Sequence, residues 1–274
     1  MADSGTERMR SMFAAAAEQS RAALLPFMTA GIPDPESSLA MFQAMTAADG
    51  FEVGIPYADP LMDGPVTASA GRRAIDLGMT IDAGLELVHQ VAATTGKPVI
   101  VMTYANPVLQ YGIDRFVDAI VAGGAVGMII ADLPVEEAAP FLEGGRRRGV
   151  GMALFVAPTT TDERLERIVA AQPAFLYGVA RLGVTGEQSE LAATAGELAQ
   201  RVRAVTDLPL VLGVGISTPD QAAEAGAVAD GVIVGSALVR RVLEAEDPEQ
   251  AAETLGAAVD ELAAAMRSSK RLRK

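Results

Sequence analysis

No cysteine occurs in the 274 residues, so neither a disulfide nor thiol chemistry is available, and the redox compartment is left open. Histidine occurs once, as His89, and lysine three times, as Lys97, Lys270 and Lys274. His89 sits in the apolar-periodic stretch DAGLELVHQVAA, where a helix-surface or packing histidine is expected. Lys97 precedes Pro98 at a turn, and the other two lysines lie in the tail, so a Schiff-base lysine projecting from a strand is not expected. A histidine-based metal site and a Ser-His-Asp triad are equally poorly supplied, and no metal is expected. Acid–base work must fall to carboxylates and tyrosines.

No apolar run reaches the length of a membrane span, and the N-terminus carries no signal-peptide pattern, which makes the cytoplasm the expected location. Positive charge is short as well: the net charge is −13, which argues against general affinity for nucleic acid or for anionic membranes. The one basic cluster, Lys270, Arg271, Arg273 and Lys274, reads as a solvated end. Backbone N–H groups can still bind a phosphorylated ligand locally, so the net charge does not decide the ligand.

What is abundant is apolar sequence, 50% of the chain, enough for a packed core. The stretch from Phe51 to Pro65, FEVGIPYADPLMDGP, organises the rest. An apolar run holds one carboxylate, Glu52, and breaks into a turn-rich loop carrying Asp59 and Asp63. A carboxylate among apolar strand residues needs a partner or a shifted pKa, and a strand end feeding an acidic loop is where α/β enzymes place their chemistry.

Along the chain, eight short apolar strands alternate with helices. Strands are predicted at 22–30, 50–55, 98–104, 127–131, 151–157, 174–179, 208–212 and 231–234. Helices are predicted at 4–20, 34–48, 66–77, 81–94, 113–122, 136–147, 162–171, 189–205, 219–225, 236–243 and 248–266, and ANPVLQYG at 105–112 reads as a loop. Runs of Val, Ile, Leu and Met without strict alternation describe strands buried on both faces, and strand–helix alternation implies parallel pairing. The expected fold is α/β: a single (β/α)8 TIM barrel over residues 1–274, with an extra N-terminal helix and additional helices after strand 2 and at the C-terminus.

In such a barrel the C-terminal strand ends and the loops after them build the site. Glu52, Asp59, Asp63, Tyr104, Asp132 and Tyr177 fall there. Glycine-bearing loops follow strands six, seven and eight: RLGVTG at 181–186, GVGIS at 213–217, and Gly235-Ser236. Glycine lets the backbone approach a phosphate, and barrels commonly bind phosphate after strands seven and eight.

These segments carry a family resemblance. PFMTAGIPD, FEVGIPYADPLMDGP, VMTYANPVLQYG, ADLPVEE, VAPTTTDERL, GVTG, GVGISTPDQA and GVIVGSALV occur in this order. Along nearly its whole length the chain resembles the tryptophan synthase α-subunit family. The resemblance implies a carbon–carbon lyase that cleaves indole-3-glycerol phosphate to indole and glyceraldehyde 3-phosphate. It implies no cofactor in this subunit, and indole passed to a β subunit carrying pyridoxal phosphate (PLP), in an α2β2 heterotetramer. It puts the catalytic glutamate at Glu52, the catalytic aspartate at Asp63 and an active-site tyrosine at Tyr177. Phe27 and Tyr104 would line the indole pocket, and Gly186, Gly213, Gly215, Gly235 and Ser236 would hold the phosphate. Arg181 and Thr185 would belong to a lid loop, and Asp59 and Asn106 would face the β subunit. Ala58, Ala180 and Val214 stand where the family usually has serine, often serine and frequently phenylalanine, respectively. Two other readings share the fold: a free-standing indole-releasing lyase, and a non-catalytic barrel that binds a phosphorylated ligand.

Overall fold

The structure, a computed structural model, describes residues 4–179, 188–213 and 215–268, with backbone only for 188–193. Among the described residues eight strands close a barrel: Ala23–Thr29 (β1), Phe51–Gly54 (β2), Val99–Thr103 (β3), Gly127–Ile130 (β4), Gly151–Val156 (β5), Phe175–Val179 (β6), Leu210–Gly213 (β7) and Gly231–Val234 (β8). Each pairs in parallel with the next, and β8 returns to β1. Every residue of β1, β2, β4, β7 and β8 is buried, which is why the strands read as unbroken apolar runs rather than alternating ones.

The first helix, Gly5–Glu18 (α1), opens on a capping box between Ser4 and Glu7 and buries Met9, Met12, Phe13 and Ala16. It lies across the N-terminal ends of the strands. A Cβ on Gly127, the first residue of β4, would sit 2.3 Å from the Met9 methyl, so the end of the Met9 side chain occupies the room that this glycine leaves. Arg21 then pairs with Asp49 through two bonds of 2.6 and 2.8 Å, and Asp49 also accepts from the Leu24 N–H, tying the end of α1 to the start of β1. With α1 over this end, the opposite end is left for the site.

The outer layer is Ser38–Ala44 (α2), Pro65–Asp76 (α3), Ile81–Thr95 (α4), Ala105–Tyr111 (α5), Ile113–Ala122 (α6), Ala139–Arg148 (α7), Asp162–Ala170 (α8), Gln188–Arg203 (α9), Pro219–Val228 (α10), Ser236–Glu244 (α11) and Pro248–Ser268 (α12). The additional helices after strand 2 and at the C-terminus are present as α4 and α12. His89 lies exposed on α4.

Most boundaries shift by a residue or more from the sequence reading, and three of the differences have a local cause. The stretch 105–112, read as a loop, is mostly the helix α5; Pro107 falls in its first turn, where the missing N–H costs nothing. Its N-terminus is capped from another loop, since the Asp132 carboxylate accepts from the Ala105 N–H at 2.7 Å. The second helix begins at Ser38 rather than residue 34, because Asp34 accepts from the Ser37 N–H at 2.8 Å in a turn between Pro33 and the helix. Likewise α7 starts at Ala139 instead of 136; Glu136 stands outside it, paired with Arg164 and Arg167.

Candidate active site

At the C-terminal end of the barrel a cavity of about 260 Å³ opens among the strand ends. The strands dictate what lines it. Phe27 and Glu52 are in register on β1 and β2, and on the next layer of β5 and β6 Phe155 is in register with Tyr177. Met102, Ile129 and Ile233 complete an apolar wall, while Asp63, Gly215, Gly235 and Ser236 come from the loops above. Seven of the residues singled out from the sequence therefore share one cavity: Phe27, Glu52, Asp63, Tyr177, Gly215, Gly235 and Ser236.

Glu52 is 2% exposed, and its Oε2 has no hydrogen-bond partner among the described residues. Burial, with a smaller push from the Asp63 charge, raises its carboxyl to about 8. Asp63 is less enclosed. Burial raises it to about 6, against the pull of the Tyr104 hydroxyl in the other direction. At neutral pH one carboxyl of the pair is thus mainly protonated and the other mainly ionised. Tyr177 is pushed well above the ordinary tyrosine range, first by burial and then by Glu52 and Asp63, so it remains a neutral hydroxyl.

Two glycines set the aromatic side chains. A Cβ on Gly213, at the end of β7, would lie 2.2 Å from the Tyr177 hydroxyl oxygen, so the tyrosine occupies the space that glycine leaves. Gly213 itself is not on the cavity wall. A Cβ on Gly54 would lie 2.6 Å from the Phe27 ring, which packs across the end of β2. The Phe155 and Tyr177 rings face each other at 4.9 Å and 37°.

Tyr104 stands apart from the main cavity. It lies behind Asp63, accepts from the Met62 N–H at 3.2 Å, and lines a small side recess. Burial, then the Asp63 charge, raises its pKa above the ordinary range. Asp59 and Asn106 are exposed outside the cavity, with the Asn106 amide donating to the Tyr57 hydroxyl at 3.0 Å. Leu61 and Met62, on the loop that carries Asp63, are 79% and 63% exposed, and Leu109, one turn after Asn106 on α5, is 56% exposed. Arg181, Thr185 and Gly186, with Ala180 and Val214, lie outside the described residues.

The mouth of the cavity meets the start of α11. Gly235 is the residue before this nine-residue helix and Ser236 is its first, and both line the cavity. The first N–H groups of a helix lack intrahelical partners and carry the positive end of its dipole, which suits an anion. Gly215, with φ +82°, brings a second stretch of backbone to the same mouth. Among the described residues no group of three or more His, Asp or Glu side chains could hold a metal ion, and no helix is long and apolar enough to cross a membrane.

The sequence reading missed Met62, Thr67, Met102, Ile129, Phe155 and Ile233 on the cavity wall. Phe155 could have been found, as an aromatic two residues before the end of a predicted strand. Met102, Ile129 and Ile233 carry no such signal, since inward and outward positions of these strands are equally apolar.

The chain matches the family model described as tryptophan synthase alpha chain over residues 13–267. It is 43% identical over 268 residues to a tryptophan synthase alpha chain of Thermobifida fusca, covering 96% of this chain and 99% of that one. It is 41% identical over 256 residues to the corresponding chain of Streptomyces avermitilis, covering 93% and 92%. A solved structure of Mycobacterium tuberculosis tryptophan synthase superposes with a TM-score of 0.85 at 39% identity, over 94% of this chain and 97% of that one. The Legionella pneumophila tryptophan synthase subunit alpha gives 0.84 at 35%, over 94% and 98%.

Proposed function

The chain belongs to the tryptophan synthase alpha chain family, and on that footing we propose that it cleaves indole-3-glycerol phosphate at Glu52 and Asp63. The observation that carries this reading is the pair of carboxyls on one apolar cavity, raised unequally to about 8 and about 6. Two titratable groups pushed apart by their environments take opposite roles in acid–base chemistry.

The bond between indole C3 and the glycerol chain breaks poorly while the ring must leave as a carbanion. The protonated Glu52 carboxyl gives its proton to C3, and the ionised Asp63 accepts from the ring N–H and stabilises the charge that develops there. Glu52, now a carboxylate, takes the proton of the C3′ hydroxyl. The C3–C3′ electron pair returns to the ring, giving neutral indole and the aldehyde of glyceraldehyde 3-phosphate. Glu52 ends the cycle protonated as it began. Tyr177, held neutral, and Phe27 pack the indole ring. The phosphate lies at Gly215, Gly235 and Ser236, with Gly186 from outside the described residues, and the backbone at the start of α11 supports that assignment; Gly213, off the cavity wall, instead leaves the room that Tyr177 fills. Arg181 and Thr185 belong to the covering loop. Tyr104 acts on Asp63 rather than on the ring, as its place beside Asp63 suggests.

This subunit uses no cofactor of its own; the PLP-dependent step belongs to a β subunit, which receives the indole in the cytoplasm. The exposed Leu61, Met62 and Leu109 beside Asp59 and Asn106 support docking of that partner, in an α2β2 assembly. The whole chain, 1–274, acts as one domain.

The test is indole release from indole-3-glycerol phosphate by the chain alone and with a β subunit. Slow release that rises with the partner is expected. Fast release indifferent to the partner would instead identify a free-standing lyase, and binding without release would identify a ligand-binding barrel.

A further inference from the structure

Behind Asp63 the cavity continues into a recess of about 10 Å³, close to the volume that one water molecule needs. Its polar lining is Thr29, Asp63, Thr67, Tyr57 and Tyr104. Thr29 is the last residue of β1, two positions beyond Phe27 and so on the same inward face of the strand. It is paired in register with Gly54, which lines the same recess and carries the Phe27 ring against it. Thr29 is 3% exposed, and among the described residues its hydroxyl has no hydrogen-bond partner. A buried hydroxyl left alone is costly, whereas an ordered water with two to four polar partners satisfies it.

We propose that Thr29 is a positioning residue for Asp63: its hydroxyl holds one water in this recess, and that water donates to the Asp63 carboxylate and steadies its ionised form. This rests on the reading of Asp63 as the carboxylate that faces the indole N–H. The titratable groups around Asp63 are Glu52 on β2, Tyr57 on the same loop, Tyr104 after β3, Asp132 acting on Tyr104, and Tyr177 on β6. None of these is cationic, and a water in the recess adds a donor to the tyrosine and threonine hydroxyls that line it.

The test is the titration of the Asp63 carboxyl, followed by carbon NMR of aspartate-labelled full-length protein and assigned with Asp63→Asn. Thr29→Val keeps the shape and removes the hydroxyl; it is expected to move the Asp63 midpoint up by about one pH unit, a tenfold change in the protonation equilibrium. Thr29→Ser keeps the hydroxyl and is expected to titrate like the parent. An unmoved midpoint in Thr29→Val, or an equal shift in Thr29→Ser, would overturn the proposal. A high-resolution crystal structure of the parent gives a check independent of any variant's folding. A water bonded to both Thr29 and Asp63 is expected, and a dry recess would contradict it. Neither readout depends on turnover, so both stand apart from the indole-release assay that tests the role of Asp63 itself.

Discussion

The hydroxyl of Tyr177 on β6 fills the space where a side chain at position 213, on β7, would begin: a Cβ there would be 2.2 Å from the hydroxyl oxygen and 2.5 Å from the ring carbon that bears it. The glycine and the tyrosine are one fitted unit. Gly213→Ala therefore displaces the Tyr177 ring into the cavity or strains β7, at a cost of about 1–3 kcal/mol for overpacking. The expected outcome is a kcat/KM for indole release lowered at least about tenfold. The two positions are expected to be non-additive, with Gly213→Ala costing much less in a Tyr177→Ala background. Thermal melts and kinetics of the four proteins check this; additive effects would contradict the fit.

The pH dependence follows from the two carboxyls. Asp63, at about 6, must be ionised, and Glu52, at about 8, must be protonated. The kcat/KM profile is expected to rise through about 6 and fall through about 8, giving a bell centred near neutrality. In Asp63→Asn the acidic limb is expected to disappear from the residual activity. A profile that falls neither below about 6 nor above about 8 would contradict the assignment.

The same raised carboxyl has a stability signature. Folding shifts Glu52 from 4.5 to about 8, so the folded state holds a proton that the unfolded state releases in this window. The contribution of Glu52 to stability is full below the unfolded value, declines as pH rises from about 4.5 to about 8, and is constant above that. Glu52→Gln removes this decline. Urea unfolding at low and high pH is expected to show Glu52→Gln gaining stability over the parent on the alkaline side, on the order of a few kcal/mol.

Leu61 and Leu109 are too exposed, at 79% and 56%, to serve the core of this chain. Leu61→Ser with Leu109→Ser is expected to leave the fold and the unpartnered indole release intact and to weaken β-subunit binding by about tenfold or more. Titration calorimetry against the β subunit reads the loss. Unchanged affinity would move the docking face elsewhere.

Much of this was legible in the sequence because the signals were local. Eight apolar runs separated by helical periodicity give the barrel, and Glu52 stands out as the charge within one of them. The glycines at 213, 215 and 235 mark where backbone must come close. The helix α5 was not legible, because Asn106-Pro107 reads as a turn, and its cap, Asp132, comes from another loop. Tyr104 ends a strand like other site residues, yet its hydroxyl lies beside Asp63 and off the main cavity, a matter of tertiary packing. Met102 and Ile129 are hidden for a different reason: strands buried on both faces carry no alternation that separates lumen from exterior. Thr29 looks like any strand threonine until the recess it shares with Asp63 is known.

The most direct measurement is the single-turnover rate of indole release from indole-3-glycerol phosphate by Glu52→Gln, with substrate affinity measured on the same protein. Glutamine keeps the shape of the side chain but can neither give the proton to C3 nor take the one from the C3′ hydroxyl. The rate is expected to fall by at least about a thousandfold, the combined loss of acid and base catalysis, while the substrate still binds. Release within tenfold of the parent rate would contradict the account and take the chemistry away from Glu52.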